Sequence, residues 1–126
     1  MVTWILWALI LAMLAWMGFN YLRIRRAAKI VDNEEFEALI RTGQLIDLRD
    51  PAEFHRKHIL GARNIPSSQL KTSLAALRKD KPVLLYENQR GQRVTNAALY
   101  LKKQGFSEIY ILSYGLDSWK GKVKTS

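Results

Sequence analysis

The chain has 126 residues, 20 Lys and Arg against 11 Asp and Glu, and a formal charge of +9. That length holds one domain with some spare chain and leaves no room for a second core. With no Cys there is no disulfide, no thiolate metal site and no cysteine nucleophile. The two histidines, His55 and His58, have no partner cluster with which to build a metal centre.

The first 22 residues carry no charged side chain. At 1.5 Å rise per residue, a helix of ~20 residues crosses the roughly 30 Å of a hydrocarbon core. Trp4, Trp7, Trp16 and Tyr21 supply aromatic rings suited to the headgroup interfaces. The remainder, about 100 residues, is too short to wrap a helix that is apolar all round. Arg23, Arg25, Arg26 and Lys29 follow the run and no basic residue precedes it, the reverse of a cleaved signal peptide. Residues 1–22 therefore read as a transmembrane anchor, 23–29 as a basic juxtamembrane segment and 30–126 as the folded domain. Positive flanks stay in the cytoplasm, so the expectation is a single-pass chain with its N-terminus outside and its domain cytoplasmic. Without those four residues the balance is 16 basic to 11 acidic, a net of +5. No Lys/Arg run with interleaved aromatics is present, so the expected partners are the lipid bilayer and a protein, with no nucleic acid.

The rest alternates between two periods. Lys29–Val31 reads as a short strand. Asp32 is placed to cap a helix with Glu35 three positions on, and Phe36, Leu39 and Ile40 form its apolar face up to Gly43. Leu45–Leu48 is the next strand, and Pro51 opens a short helix to about Arg56. Ala62–Ile65 is extended and stops at Pro66. Ser67 or Ser68 then caps an expected helix with Leu70, Leu74 and Leu77 inward. Val83–Tyr86 is a continuous apolar run, the mark of a strand buried on both faces. After a polar loop over Glu87–Gln92, a helix starts near Arg93 with Val94, Ala97, Ala98 and Leu101 on one side. Ile109–Leu112 is the last expected strand, and Leu116–Trp119 a short closing helix. This alternation makes an α/β fold, a mainly parallel five-stranded sheet with helices on both faces, preceded by one transmembrane helix. Ligands of such sheets bind at the C-terminal strand edge, where Glu87–Gln92 is the best-placed loop.

Residues Ile46-Asp47-Leu48-Arg49-Asp50-Pro51-Ala52-Glu53-Phe54, then His58-Ile59, then Gly61-Ala62-Arg63-Asn64-Ile65-Pro66, together resemble the rhodanese-like (sulfurtransferase) domain family. Gly105-Phe106, Gly115 and Trp119 look like its closing units, so the resemblance covers about 30–120. Lys57 and Leu60 stand where the family usually has Gly and Pro. The resemblance implies that the loop after the central strand begins with a Cys that carries persulfide sulfur. Spacing back from Gly91 and Arg93 puts that position at Asn88; counting from the strand puts it at Glu87.

Neither residue is a thiol, and sulfur transfer through the protein needs a polarisable thiolate. No Ser or Thr lies between Val83 and Val94 to replace it. No catalytic residue, cofactor or metal is therefore expected. What such a loop retains is its inward N–H groups and a helix N-terminus, which makes Asn88, Gln89, Arg90, Gly91, Gln92 and Arg93 a candidate binding loop for a small anion or an acidic side chain. Asp47 and Arg49 are expected as a polar pair that lines the pocket or holds its loops, and His58 as a hydrogen-bonded structural residue. The resulting expectation is a membrane-anchored, catalytically inactive rhodanese-like domain that binds a protein or an anion on the cytoplasmic face. A sulfurtransferase-family enzyme with a non-cysteine mechanism, and a structural membrane subunit, stand as the alternatives.

Overall fold

The apolar run folds as one helix, α1 (Val2–Ala27), and its window from Val2 to Leu22 is long and apolar enough to cross a membrane. None of that window is buried against the rest of the chain. The structure, a computed structural model, describes residues 2–89 and 91–125, with only the backbone described over 23–27. The side chains of Arg23, Arg25 and Arg26, and the whole of Arg90, thus lie outside the described residues.

The remaining elements are β1 (Lys29–Val31), α2 (Asn33–Ile40), β2 (Gln44–Asp47), α3 (Pro51–Arg56), β3 (Lys57–Ile59), β4 (Arg63–Asn64), β5 (Val83–Tyr86), α4 (Gln92–Lys103), β6 (Ile109–Leu112) and β7 (Val123–Thr125). Five strands form one sheet in the order β1-β6-β5-β2-β4, and every neighbouring pair is parallel. β5 sits at the centre of it. Its residues divide between two cores because successive side chains leave opposite faces of a strand. Val83 and Leu85 pack with Ile46, Ile111 and the α4 residues Val94, Ala97, Ala98 and Leu101. Leu84 and Tyr86 pack with Phe36, Leu45, Leu112 and Leu116 on the other face. That two-sided burial is the physical reason for the unbroken apolar run in the sequence.

The expected cap is in place: the Asp32 carboxylate accepts from the Glu35 N–H at 2.9 Å. The helix expected after Ser67 is absent. Two single turns of 3₁₀ helix, Ser67–Gln69 and Leu74–Ala76, stand there instead. The Thr72 hydroxyl donates to the Gln69 carbonyl at 2.9 Å, and hydroxyl side chains of this kind offer the backbone an alternative to a continuous helix. Leu70 and Leu77 still reach the core. The closing helix is likewise one 3₁₀ turn, Leu116–Ser118. A second, two-stranded sheet pairs β3 with β7 antiparallel, Lys57 opposite Thr125 and Ile59 opposite Val123. The sequence does not announce it, because Lys57-His58-Ile59 and Val123-Lys124-Thr125 each hold a single apolar residue and make no apolar run.

Candidate functional site

Parallel strands bring the chain segments after β2, β4, β5 and β6 to one edge of the sheet. At that edge Asp47 is fully buried and Arg49 is 4% exposed. The Asp47 carboxylate accepts two bonds from the Arg49 Nε, both 3.1 Å, one from Nη2 at 2.8 Å and one from the Arg49 backbone N–H at 2.8 Å. A guanidinium fork on a carboxylate is the geometry in which a buried pair offsets its desolvation. Burial works against the Arg49 charge, but the hydrogen bonds and charge of Asp47 outweigh it and hold the guanidinium above its ordinary pKa. Arg49 also donates from Nη2 to the Lys57 carbonyl and from Nη1 to the Asn88 Oδ1 at 2.9 Å. The Asn64 amide donates to the carbonyls of Asp47 and Arg49, at 3.2 and 2.9 Å, and locks the turn that carries them.

The loop after β5 separates the two residues between which the sequence could not choose. Asn88 turns into an open cleft of about 450 Å³ lined by Arg49, Glu53, Arg56, Lys57, Leu116 and Asp117. Its amide is used at both ends: Oδ1 accepts from Arg49, and Nδ2 donates to the Glu53 carboxylate at 2.7 Å. Glu87 turns the other way. Its carboxylate accepts from the Val94 N–H at 2.8 Å, in the first turn of α4. Gly91 at the helix N-cap has no side chain to do this, so a residue seven positions back takes the capping role. A carboxylate of the chain itself therefore sits where an anion cradle would place a free ligand.

Among the described residues, Gln89, Gln92 and Arg93 are not part of the cleft lining. Gln89 bonds to the Asp117 carboxylate at 3.3 Å. Gln92 bonds to Asn96 at 2.7 Å along the surface of α4, and Arg93 faces a separate depression beside Ser68, Lys71 and Tyr100. His58 stacks on Phe54 with ring centroids 3.8 Å apart and donates from Nδ1 to the Phe54 carbonyl at 2.7 Å, a structural placement outside the cleft lining. No group of three or more metal-ligating side chains exists among the described residues.

Glu53 and Asp117 are the site residues that sequence reasoning missed. Glu53 sits in the first turn of α3, which Pro51 and Asp50 aim back at the β5 loop, and only that tertiary return shows its partner. Gly115 was noted from the sequence, but its task was not. It holds a φ of +71°, and a Cβ there would lie 2.6 Å from the Asn88 carbonyl carbon and 2.7 Å from the Glu87 oxygen. The chain passes this close because the Leu116 and Asp117 N–H groups donate to the Glu87 and Asn88 carbonyls, at 2.9 and 3.0 Å. Gly115→Ala combines a disfavoured φ with a backbone clash, so it is expected to cost at least ~2 kcal/mol in a urea titration. A loss under ~0.5 kcal/mol would show that the loop does not lie on this turn.

Tyr86, fully buried at the end of β5, lies beside the pair, with the Arg49 guanidinium carbon 6.0 Å from its ring centre. Its hydroxyl accepts from the Ile59 N–H at 3.1 Å. Burial first, and the Asp47 charge second, push the phenol well above its ordinary value. A raised acid pKa adds stability that is complete below the unfolded value of ~10 and is lost as pH climbs past it. The urea midpoint should therefore fall between about pH 9 and about pH 11, and Tyr86→Phe should flatten that fall. An unchanged alkaline limb in Tyr86→Phe would place the responsible group elsewhere.

Comparison with known proteins agrees with this geometry. A family model described as the Rhodanese-like domain matches residues 32–122. The uncharacterized protein YqhL of Bacillus subtilis (strain 168) is 48% identical over 113 residues, covering 90% of this chain and 89% of its own. The thiosulfate sulfurtransferase GlpE of Stutzerimonas stutzeri (strain A1501) is 37% identical over 93 residues, covering 73% and 84%. Among solved structures, a rhodanese-related protein from Thermoplasma volcanium shares the fold, with a TM-score of 0.70 at 24% identity over 78% of this chain and 99% of that one.

Proposed function

Because the chain belongs to the Rhodanese-like domain family and has no cysteine, we propose that it is a membrane-anchored, catalytically inactive member whose cleft binds a protein partner on the cytoplasmic face. The observation that carries this reading is Asn88, held between Arg49 and Glu53 in the cleft where the β5 loop begins. A carboxamide in that place offers a donor and an acceptor but no nucleophile. Sulfane sulfur has no thiolate to attack it, and no covalent intermediate forms on the chain. What is left is a polar cleft with cationic (Arg56, Lys57) and anionic (Glu53, Asp117) side chains on its wall, a lining suited to the mixed charges of a protein surface. Glu87 favours a protein over a small anion, because its carboxylate already takes the Val94 N–H.

The anchor reading draws on Val2–Leu22, with a mean hydropathy of 2.0 and basic residues on its C-terminal flank only. Carbonate-washed membranes should retain the chain, and protease added to right-side-out cells should leave the domain intact. Release by carbonate removes the anchor; digestion from outside reverses the orientation.

The decisive test of inactivity is thiosulfate with cyanide. The full chain in detergent should make no thiocyanate above a protein-free blank, under conditions where a cysteine-bearing relative turns over. Turnover would establish the alternative, a sulfurtransferase with a different mechanism. For binding, a photo-crosslinker at Arg56 should capture a partner from intact membranes, and Lys57→Glu with Asp117→Lys should abolish that capture. Capture that survives both changes, or that needs only α1, would favour a structural subunit that works through its membrane helix.

A further inference from the structure

We propose that the N-terminal edge of the sheet is a docking surface for anionic phospholipid headgroups, which holds the domain on the bilayer with its cleft turned to the aqueous side. This rests on the membrane-anchored reading of α1. The helix continues unbroken to Ala27, five residues past Leu22, which is about 8 Å along its axis. One residue, Ala28, then joins it to β1, and Ala28 is buried in the same core as Ala97, Leu101 and Ile109. α1 also lies in contact with α4. The one-residue join keeps the domain beside the bilayer and leaves its tilt as the freedom that headgroup contacts would fix. Every strand of the main sheet runs parallel to β1, so the start of β1 lies at the edge where β2, β5 and β6 also start. That edge is the part of the domain next to the headgroups.

Its charge is one-sided. Lys29 opens β1, Arg78, Lys79 and Lys81 precede β5, and Lys102 and Lys103 end α4 just before β6; all six are exposed. The segments are tied into one surface. The Gln44 amide donates to the carbonyls of Arg78 and Lys81, and Lys79 lies over the Phe106 ring at 5.9 Å. Against these six stand Asp80, paired with Arg78 at 2.6 Å, and Glu108. The opposite edge, with its cleft, mixes both signs. A gap of ~8 Å is about one Debye length at physiological salt, so the basic edge feels the negative potential of an anionic leaflet while the cleft, a strand length further out, is largely screened from it. The five lysines suit this task, since each carries a compact cation on a flexible stem that reaches headgroup phosphates.

Because the chain lacks Cys, single labels can be placed without background. Ser107→Cys sits at the basic edge, before β6, and Ser68→Cys at the far edge, after β4; both positions are exposed. The full chain is reconstituted in nanodiscs of phosphatidylcholine alone or with about 30% phosphatidylserine, each carrying a headgroup nitroxide that quenches a fluorophore on the cysteine. The expected result is quenching at 107 at least about threefold that at 68 in the anionic discs, a smaller contrast in neutral discs, and loss of the difference between them in the Lys79→Glu/Lys81→Glu/Lys102→Glu/Lys103→Glu variant. A salt titration of the parent chain gives the same readout without any charge substitution, and high salt should bring the anionic discs to the neutral value. Equal quenching at the two positions, or quenching that ignores lipid charge and salt, overturns the docking surface. A chain that inserts but shows no lipid-charge dependence overturns the docking alone. One that fails to enter the discs overturns the anchor, and the docking with it.

Discussion

Asp47→Ala is expected to destabilise the domain by about 3–5 kcal/mol, the largest stability effect of any single change at the site. The Arg49 guanidinium that it leaves behind is 4% exposed, and Asp47 takes three of its side-chain hydrogen bonds. The remaining partners, the Lys57 carbonyl and the Asn88 amide, are dipoles and do not neutralise a buried cation. Replacing both members with apolar residues, Asp47→Leu with Arg49→Met, should recover part of the loss, because no orphaned charge remains. Urea unfolding of the full chain in detergent, followed in the near ultraviolet, measures both variants. A cost below ~1 kcal/mol for Asp47→Ala would mean that water reaches Arg49 and that the pair is a surface bridge in effect.

The largest expected chemical effect comes from Asn88→Cys. A thiol there lies in the open cleft, beside an Arg49 Nη1 that now donates to the Asn88 Oδ1 at 2.9 Å. A neighbouring guanidinium favours thiolate, whereas the Glu53 carboxylate, 2.7 Å from the present amide nitrogen, opposes it. Asn88→Cys is therefore expected to alkylate faster than Glu87→Cys at neutral pH, and Asn88→Cys with Glu53→Gln faster still, by roughly tenfold for each pKa unit by which the thiol is lowered. Glu87→Cys is the informative control. Its shorter side chain does not reach the Val94 N–H, so it loses the cap at a cost of ~1 kcal/mol and leaves its sulfur on the α4 side of the loop. Faster reaction at 87 would transfer the family's Cys position to Glu87. Ordinary thiol behaviour at both positions, near pKa ~8.5, would mean that the loop gives no electrostatic help to an anion. Sulfur transfer by Asn88→Cys is expected to stay weak, since Glu53 remains against the sulfur.

Much of this protein was legible in order along the chain. Lys29–Val31, Val83–Tyr86 and Ile109–Leu112 were placed to the residue, because a short apolar run bounded by turns carries its own period. The Asp32 cap and the Val94-Ala97-Ala98-Leu101 face of α4 were equally local, each a matter of residues three or four apart. Absence of Cys is a property of composition and needed no structure. Asp47 and Arg49 were legible as a pair because they are two residues apart and because buried charges persist when paired.

What the tertiary structure alone decided lies at long range. Asn88 meets Arg49 and Glu53 across 39 and 35 residues, and β3, in the first half of the domain, meets β7 at its C-terminal end. No periodicity reports such contacts, because they depend on how the α3 turn and the Gly115 turn close on the β5 loop. The separate partners of Asn88 and Glu87 are of the same kind. The chain bends at Asn88 just past the end of β5, and there Asn88 enters the cleft while Glu87 finds a partner behind it. Here that partner is the Val94 N–H, left uncapped because the helix begins at a glycine. The 3₁₀ turns that replaced the helix after Ser67 show the same limit from the other side. Leu70 and Leu77 have the spacing of a helix face, but the Thr72 hydroxyl bonds the Gln69 carbonyl where the helix would run, and the core accepted both leucines without the helix between them.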